Sequence, residues 1–340
     1  MTTSEVSPTR KSSSPLSAIR GARWLAVLGG IIVLGFVFTM LSPAFLSLRN
    51  MQNIAVQAAV TGVMAVGMTY VIMTAGIDIS VGSILYLTVT VVAWVALTFQ
   101  SPLASYSTYF IAIGLGGLLG LINGLIINYV GINALVATLA TYVAYRGMAT
   151  HITEARILTV PAEVRILGIG SIGGFPMPVL VLLVVAAIGA LVLHFTRFGR
   201  YVLAIGSSQR SAVETGLPVR KTLIAVYAIA GACAGIGAMI LLGRVGAVQS
   251  DLGVGIEFTV ITAVVLGGTY LSGGRGSIIG SVLGAIFLVM IDNGLNIIGA
   301  SPFIYDIVRG AVLIGAVLID RAATVEFFRK GFPMNAGRAS

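Results

Sequence analysis

The sequence predicts an all-α, polytopic membrane protein of about ten transmembrane helices in two related halves, with both termini cytoplasmic. Three observations predict it. The 340-residue chain is 57% hydrophobic and only 9% charged, with 43 glycines, which is more apolar material than a soluble core of this size can hide. Apolar stretches of the ~20 residues needed to cross a bilayer recur along nearly the whole chain. Lys and Arg divide unevenly between the two sides of the resulting topology, about fourteen inside against about five outside, with Arg309 within a span.

The first 22 residues are polar, basic and rich in Ser, Thr and Pro, and read as a disordered cytoplasmic tail. The apolar transmembrane domain follows over 23–320, and a cytoplasmic tail over 321–340. Its spans fall at approximately 23–41, 54–75, 79–99, 108–129, 133–150, 177–196, 221–243, 256–271, 277–298 and 303–320. The first is longer than a signal-peptide core and lacks a small-x-small cleavage site, so it stays as a helix. Two connections are long. The outer one, 151–177, can fold as short helices over a pore mouth; the inner one, 197–221, holds Arg197, Arg200, Arg210, Arg220 and Lys221.

Lipid gives no hydrophobic drive for helix association, so close contact comes from small residues. Gly116, Gly120 and Gly124, then Gly231 and Gly235, then Gly276, Gly280 and Gly284, mark three packing faces. An internal echo relates "AGIDISVGSI" (Ala75 to Ile84) to "GGTYLSGGRGSI" (Gly267 to Ile278), with Tyr270 opposite Asp78, and "NGLIINYVGI" to "NGLNIIGA". Paired broken segments in two halves are a recurrent transporter device.

In the inner connection, Ser207 or Ser208 can cap a helix over Gln209 to Thr215, which Gly216 ends and Pro218 stops. Two turns are too few for independent stability. The expected exposed face carries Gln209, Arg210 and Glu214 around Ala212. It suits either a connector folded on the membrane ends or a docking helix for a cytoplasmic partner.

Intramembrane polar residues are expensive and therefore informative. Gly76 breaks a helix, and Asp78 or Ser80 is placed to cap the next one. Asp292 with Asn293 and Asn296, and Asn123 with Asn128, form expected polar clusters within their spans. With Thr138 and Thr141 these residues are candidates to line a solute path, or to bond between helices. Asp306 and Arg309 lie three apart and can neutralise each other. Arg146 can snorkel to the outer interface, and Arg275 can cap carbonyls or meet lipid phosphate.

The single Cys233, in an apolar run, excludes a disulfide or Cys-based metal centre, and His151 and His194 are isolated. "GLPVRKT" lacks a phosphate loop's second glycine before its lysine, and "GRGSIIG" lacks the strand and acidic residue of a dinucleotide turn. The chain offers no catalytic triad or metal set, hence no catalytic residues, and its positive charge reads as topology rather than nucleic-acid binding.

"TAGIDISVGSILYL", "NGLIINYVGINALVATLATYVAYRGMA", "GRYVLAIGSSQRSAVETGLPV" and "VVLGGTYLSGGRGSIIGSVLGAIFLVMIDNGLNIIG" occur in this order. Together they resemble the membrane permease subunit of bacterial ribose/galactose/xylose-type sugar ABC importers, over roughly residues 50 to 320. The resemblance implies a ten-helix, multi-pass permease of the bacterial inner membrane that pairs with itself or a sister permease. A separate cytoplasmic ATPase would bind ATP and Mg, leaving this chain without a cofactor of its own, and a periplasmic sugar-binding protein would deliver a monosaccharide. The family's coupling segment, Gly-x-Asn-x-x-Ala-Ala-x-x-x-Gly-Ile, maps onto Gly206, Ser208, Ser211, Ala212, Gly216 and Leu217, and so shifts the short helix toward docking. Ser208, Ser211 and Leu217 depart from that pattern, and Tyr270 and Asp292 stand where smaller or uncharged residues are expected. Nucleosides, autoinducer-type furanosides and branched-chain amino acids remain alternative solutes, and an ion-coupled secondary transporter using Asp78 or Asp292 is the reading from another class.

Overall fold

Ser47 starts the second helix six residues earlier than hydropathy predicts, because its side chain accepts a hydrogen bond from the Asn50 amide. The resulting helix, Leu48–Met73, is buried continuously from Ala58 to its end and is the axis of the fold. The structure is a computed structural model that describes residues 23–331. The predicted tail over 1–22 and the last part of the tail over 321–340 lie outside the described residues.

The long helices are α1 (Arg23–Leu41), α2 (Leu48–Met73), α3 (Val81–Phe99), α4 (Pro102–Leu125), α5 (Ala134–Thr153) and α6 (Met177–Phe195). Two short helices, α7 (Arg197–Ser207) and α8 (Gln209–Glu214), lead to α9 (Val219–Val245), α10 (Ile256–Leu266), α11 (Ile278–Ile297) and α12 (Pro302–Gly331). The chain is an all-α polytopic membrane protein. Every predicted span is represented by a helix, and among the described residues seven helices are long and apolar enough to cross a membrane. α5 has the length but carries Arg146 and several threonines. α10 is the departure: it stops at Leu266, and its 11 residues rise only about 16 Å. The last helix continues to Gly331, through residues assigned to the tail.

α2 packs against α6, α9, α10 and α11, while α4 lies along α9, α3 along α5, and α1 against α11. The glycine faces explain the α4–α9 seam and a further one between α10 and α11. A Cβ on Gly120 would meet the Tyr227 carbonyl, with Gly231 Cα at 3.1 Å, and one on Gly124 would lie 2.8 Å from Ile224 Cα. Gly116 likewise abuts Gly231 and Gly235, so the α4–α9 contact is backbone on backbone. Gly280 and Gly284 meet Gly267 and Ala263 of α10 in the same way. Gly276 departs from this face and packs instead on Met73 and Thr269.

The outer connection forms more β structure than expected. β1 (Leu158–Thr159) pairs antiparallel with β4 (Ala247–Val248), Leu158 opposite Val248, and β2 (Ser171–Ile172) with β3 (Phe175–Pro176). Between these pairs, single helical turns at Ala162–Arg165 and Ile166–Ile169 pack on the end of α9, where Gly168 lies against the Gly243 and Arg244 backbone. The segment is thus pinned to the connection after α9.

Candidate functional site: broken spans and a short surface helix

The two repeated segments end their helices with one hydrogen-bond motif. After α2, the Ala75 amide donates to Ile72 O (2.9 Å) and the Gly76 amide to Val71 O (3.0 Å). After α10, the Gly268 amide donates to Val265 O (3.0 Å) and the Thr269 amide to Val264 O (3.2 Å). Both are Schellman ends, with Ala75 (φ 58°) and Gly268 (φ 92°) at the left-handed position. This geometry corrects the echo by one residue: Tyr270 corresponds to Ile77, not to Asp78. The second break is also longer, which sequence matching alone absorbed wrongly.

The breaks touch each other. The Gly274 amide donates to Met73 O at 2.9 Å, and Gly273 (φ 82°) packs against Ala75. Gly206 of α7 fits into the same junction, where an added Cβ would strike Met73 O and sit 2.5 Å from Gly274 N. Nearby, Thr69 Oγ1 donates to Ser281 Oγ (2.7 Å), linking α2 to α11.

Asp78 is wholly buried beside the first break. Its Oδ1 accepts from the Ser80 amide (2.9 Å) and the Ser80 hydroxyl (2.6 Å), and Asn123 Nδ2 donates to Ser80 Oγ (2.7 Å). Tyr145 OH donates to Leu119 O (3.1 Å) and reaches Asn123 Oδ1 (3.5 Å), while the Ile79 amide donates to Thr138 Oγ1 (3.3 Å). So the candidates Asp78, Ser80, Asn123 and Thr138 do converge, but as a closed polar tie between α4, α5 and the start of α3. The expected cap is corrected in detail. Ser80 is the residue before α3, and its side chain makes no capping bond because it is turned to Asp78. Asp78 shapes the turn rather than holding the helix's first amides.

The other candidates separate. Asn128 donates to its own Gly124 O (2.8 Å) on a wide helical turn, Ile126–Val130, well apart from Asn123's partners. Thr141 Oγ1 is engaged with Ala137 O and Thr138 O of its own helix, both at 3.2 Å. The Asp292, Asn293 and Asn296 cluster does not form: the successive Asp292 and Asn293 point apart and take partners on different helices, and Asn296, about one turn beyond, is exposed. Asn293 exchanges two amide bonds with Asn50 of α2 (2.8 and 3.0 Å), and Asp292 takes a two-pronged bond from Arg309 (2.7 and 3.2 Å). Arg309 also reaches Asp306 at 3.3 Å, as its spacing predicts.

Arg146, expected at the outer interface, has defined partners within the chain. Its guanidinium lies 4.9 Å from the Tyr86 ring centroid and donates to Ser250 O (2.6 Å), so it closes α5 over α3 and the connection after α9. Arg275 stacks at 5.9 Å from the Tyr270 ring.

On the opposite end, α8 starts at the predicted Gln209 and stops at Glu214, one residue short of the predicted Thr215. The Ser211 amide donates to Ser208 Oγ (3.2 Å), and Gly216 (φ 75°) closes the helix with bonds from the Gly216 amide to Val213 O and the Leu217 amide to Ala212 O, both 3.0 Å. Ser207 instead bonds back to Leu203 O. The exposed face is the correction: Ala212 is only 3% exposed and packs among Ile205, Val219 and Leu223, with Tyr201 and Leu217 alongside. The surface belongs to Gln209, Arg210, Val213 and Glu214, with Val213 60% exposed and Arg210 paired to Glu214 at 3.0 Å. Val213 was missed because its outward direction depends on which side of α8 lies on α7 and α9. Tyr145, Tyr86 and Asn50 were missed likewise, as their partners lie far along the chain.

Apolar helices, two interrupted spans that meet at their breaks and polar ties within the bundle define a helical membrane transporter. The family described as branched-chain amino acid transport system, permease component, matches residues 50–317, and the chain belongs to that family. It is similar to the ribose import permease protein RbsC of Escherichia coli (strain K12), 36% identical over 295 residues, covering 85% of this chain and 91% of that protein. RbsC of Bacillus subtilis (strain 168) is 36% identical over 299 residues, covering 86% and 91%. The D-allose transport system permease protein AlsC of Escherichia coli (strain K12) is 34% identical over 287 residues, covering 84% and 87%. No solved structure matches the chain significantly.

Proposed function

We propose that this chain is the permease subunit of an ATP-driven importer that moves a monosaccharide across the bacterial inner membrane by alternating access. It hydrolyses nothing itself: a separate cytoplasmic ATPase binds ATP and Mg, and α8 is its contact. The bundle pairs with a second permease, identical or sister, and a periplasmic sugar-binding protein feeds its outer face. Both termini then lie in the cytoplasm, on the side of α8.

The observation that carries this reading is α8 itself. A helix of six residues does not persist unaided, yet this one is capped at both ends and anchored by Ala212, which leaves Val213 and the Arg210–Glu214 pair facing outward. Gly206, in the last turn of α7, sits inside the junction of the two broken spans, so a push on α8 is delivered directly to both breaks. The relatives named for ribose and allose favour a sugar over the amino acids in the family's description. Pairing of Asp292 with Arg309 removes it as a free carboxylate for an ion-coupled mechanism.

The test is Val213→Asp in the assembled transporter. Loss of ATPase co-purification and of ATP-dependent D-ribose uptake, with the chain still in the membrane at normal yield, is the expected result. Unchanged co-purification and uptake would show that α8 is not the contact.

A further inference from the structure

The end of the bundle remote from α8 holds a polar cavity of about 390 Å³, within the ~300–1,000 Å³ range of small-molecule sites. It opens between α2, α9, α10, α11 and α12 and includes Gln57, Arg244, Gln249, Asp251, Asp292 and Arg309 in its wall. α9 fixes its position: the helix begins just after α8 and its 27 residues rise about 40 Å before Arg244 and the Gln249–Asp251 connection are reached.

The wall has an unusual composition for the interior of a membrane bundle. Asp292 is held by Arg309 at 2.7 Å, and Arg309 also reaches Asp306 at 3.3 Å, so the pair forms a fixed surface already engaged within the chain. Arg244, half-buried, and Gln57 make no side-chain hydrogen bond or ion pair among the described residues, and Asp251 and Gln249 at the mouth are exposed and equally uncommitted. Two guanidiniums and two carboxylates cancel in charge, which removes any preference for a net anion or cation. What is left is a set of donors and acceptors pointed at a pocket: guanidinium and amide N–H groups, carboxylate and amide oxygens. Each hydroxyl of a sugar is both donor and acceptor, so a polyhydroxylated neutral solute can satisfy both sets at once. A branched-chain amino acid would satisfy the charges but strand the amides.

We infer that this cavity is the outer receiving site for a neutral polyhydroxylated solute, with Arg244, Asp251 and Gln249 as its contacts and the Asp292–Arg309 pair as its floor. The inference rests on the importer reading above and adds the place and chemistry of the solute contact. Because the site must also release its cargo inward, uncommitted groups at the mouth and a self-satisfied floor suit weak, transient binding.

The test uses the complete transporter in cells and measures uptake of D-ribose and, separately, L-leucine. Arg244→Gln and Asp251→Asn, which keep size and polarity, are expected to lower D-ribose uptake about tenfold each, the effect of losing one charged hydrogen bond, with ATPase co-purification unchanged. Arg244→Lys should recover part of the loss. Gln249→Cys supplies a second measure: a charged thiol reagent added outside should block uptake in this variant and leave the parent, whose Cys233 is buried, unaffected. If the parent takes up D-ribose while both substitutions and the thiol block leave the rate within twofold, the cavity assignment falls and the importer reading stands. If the parent takes up L-leucine and not D-ribose, the importer's proposed solute class and the neutral-solute site both fall.

Discussion

The Met73 carbonyl accepts a 2.9 Å hydrogen bond from the Gly274 amide, which joins the break after α2 to the break after α10. Residues some two hundred positions apart thereby form one junction, and Gly206 completes it. The junction is packed backbone on backbone, because there is no side chain at Gly206, Gly273 or Gly274 to yield instead. Gly206→Val is expected to destabilise the fold by about 3 kcal/mol, the upper end for overpacking, and to abolish uptake. Thermal unfolding in detergent checks it; a melting temperature equal to the parent's would mean that the junction opens freely.

Asp78 tests charge against geometry. Its Oδ1 holds two bonds to Ser80, whereas its Oδ2 has no partner among the described residues. Asp78→Asn, which keeps one acceptor oxygen, should therefore retain stability and uptake. Asp78→Ala strands the buried Ser80 amide and should lose about 2–3 kcal/mol. Equal stability losses in the two variants would show that the carboxylate's charge, and not its shape, is what matters.

The glycine faces make a prediction within one helix. Gly120 of α4 abuts the Tyr227 carbonyl, while a Cβ added at Gly114 of the same helix would meet nothing within 4 Å outside its own helix backbone. Gly120→Leu should separate α4 from α9 and fail to give a stable bundle; Gly114→Ala should be neutral or stabilise by about 0.5–1 kcal/mol through helix propensity. Detergent melting curves distinguish them.

Asn50 and Asn293 form a reciprocal amide pair between α2 and α11. A double-mutant cycle with alanine should give a coupling of about 1 kcal/mol. Additive losses would show that the two amides act independently.

Tyr86 is fully buried with its hydroxyl unpartnered among the described residues, and its ring is the part in use, beneath Arg146. Tyr86→Phe should be tolerated, whereas Tyr86→Leu removes a stacking contact of about 1–2 kcal/mol. Parent-like melting of the leucine variant would rule out the stack as a tie between α3 and α5.

The apolar spans, the glycine faces apart from Gly276, the two breaks and the start of α8 were legible along the chain. Each depends on local rules: helix length against bilayer thickness, backbone approach at small residues, left-handed closure at Gly216, capping by Ser208. The short reach of α10 was not, because its sequence stays apolar beyond Leu266 and only the packing of Gly267 on Gly280 shows where the helix ends. Partner choice was equally hidden. Asp292, Asn293 and Asn296 are close in sequence but radiate toward α12, α2 and the surface, while Asp78, Ser80, Asn123 and Tyr145 come from three separate segments to one buried tie. A polar side chain in a membrane interior must find a partner, and its residue type announces that need; which partner answers is fixed by helix rotation and neighbour order, which exist only once the bundle has formed.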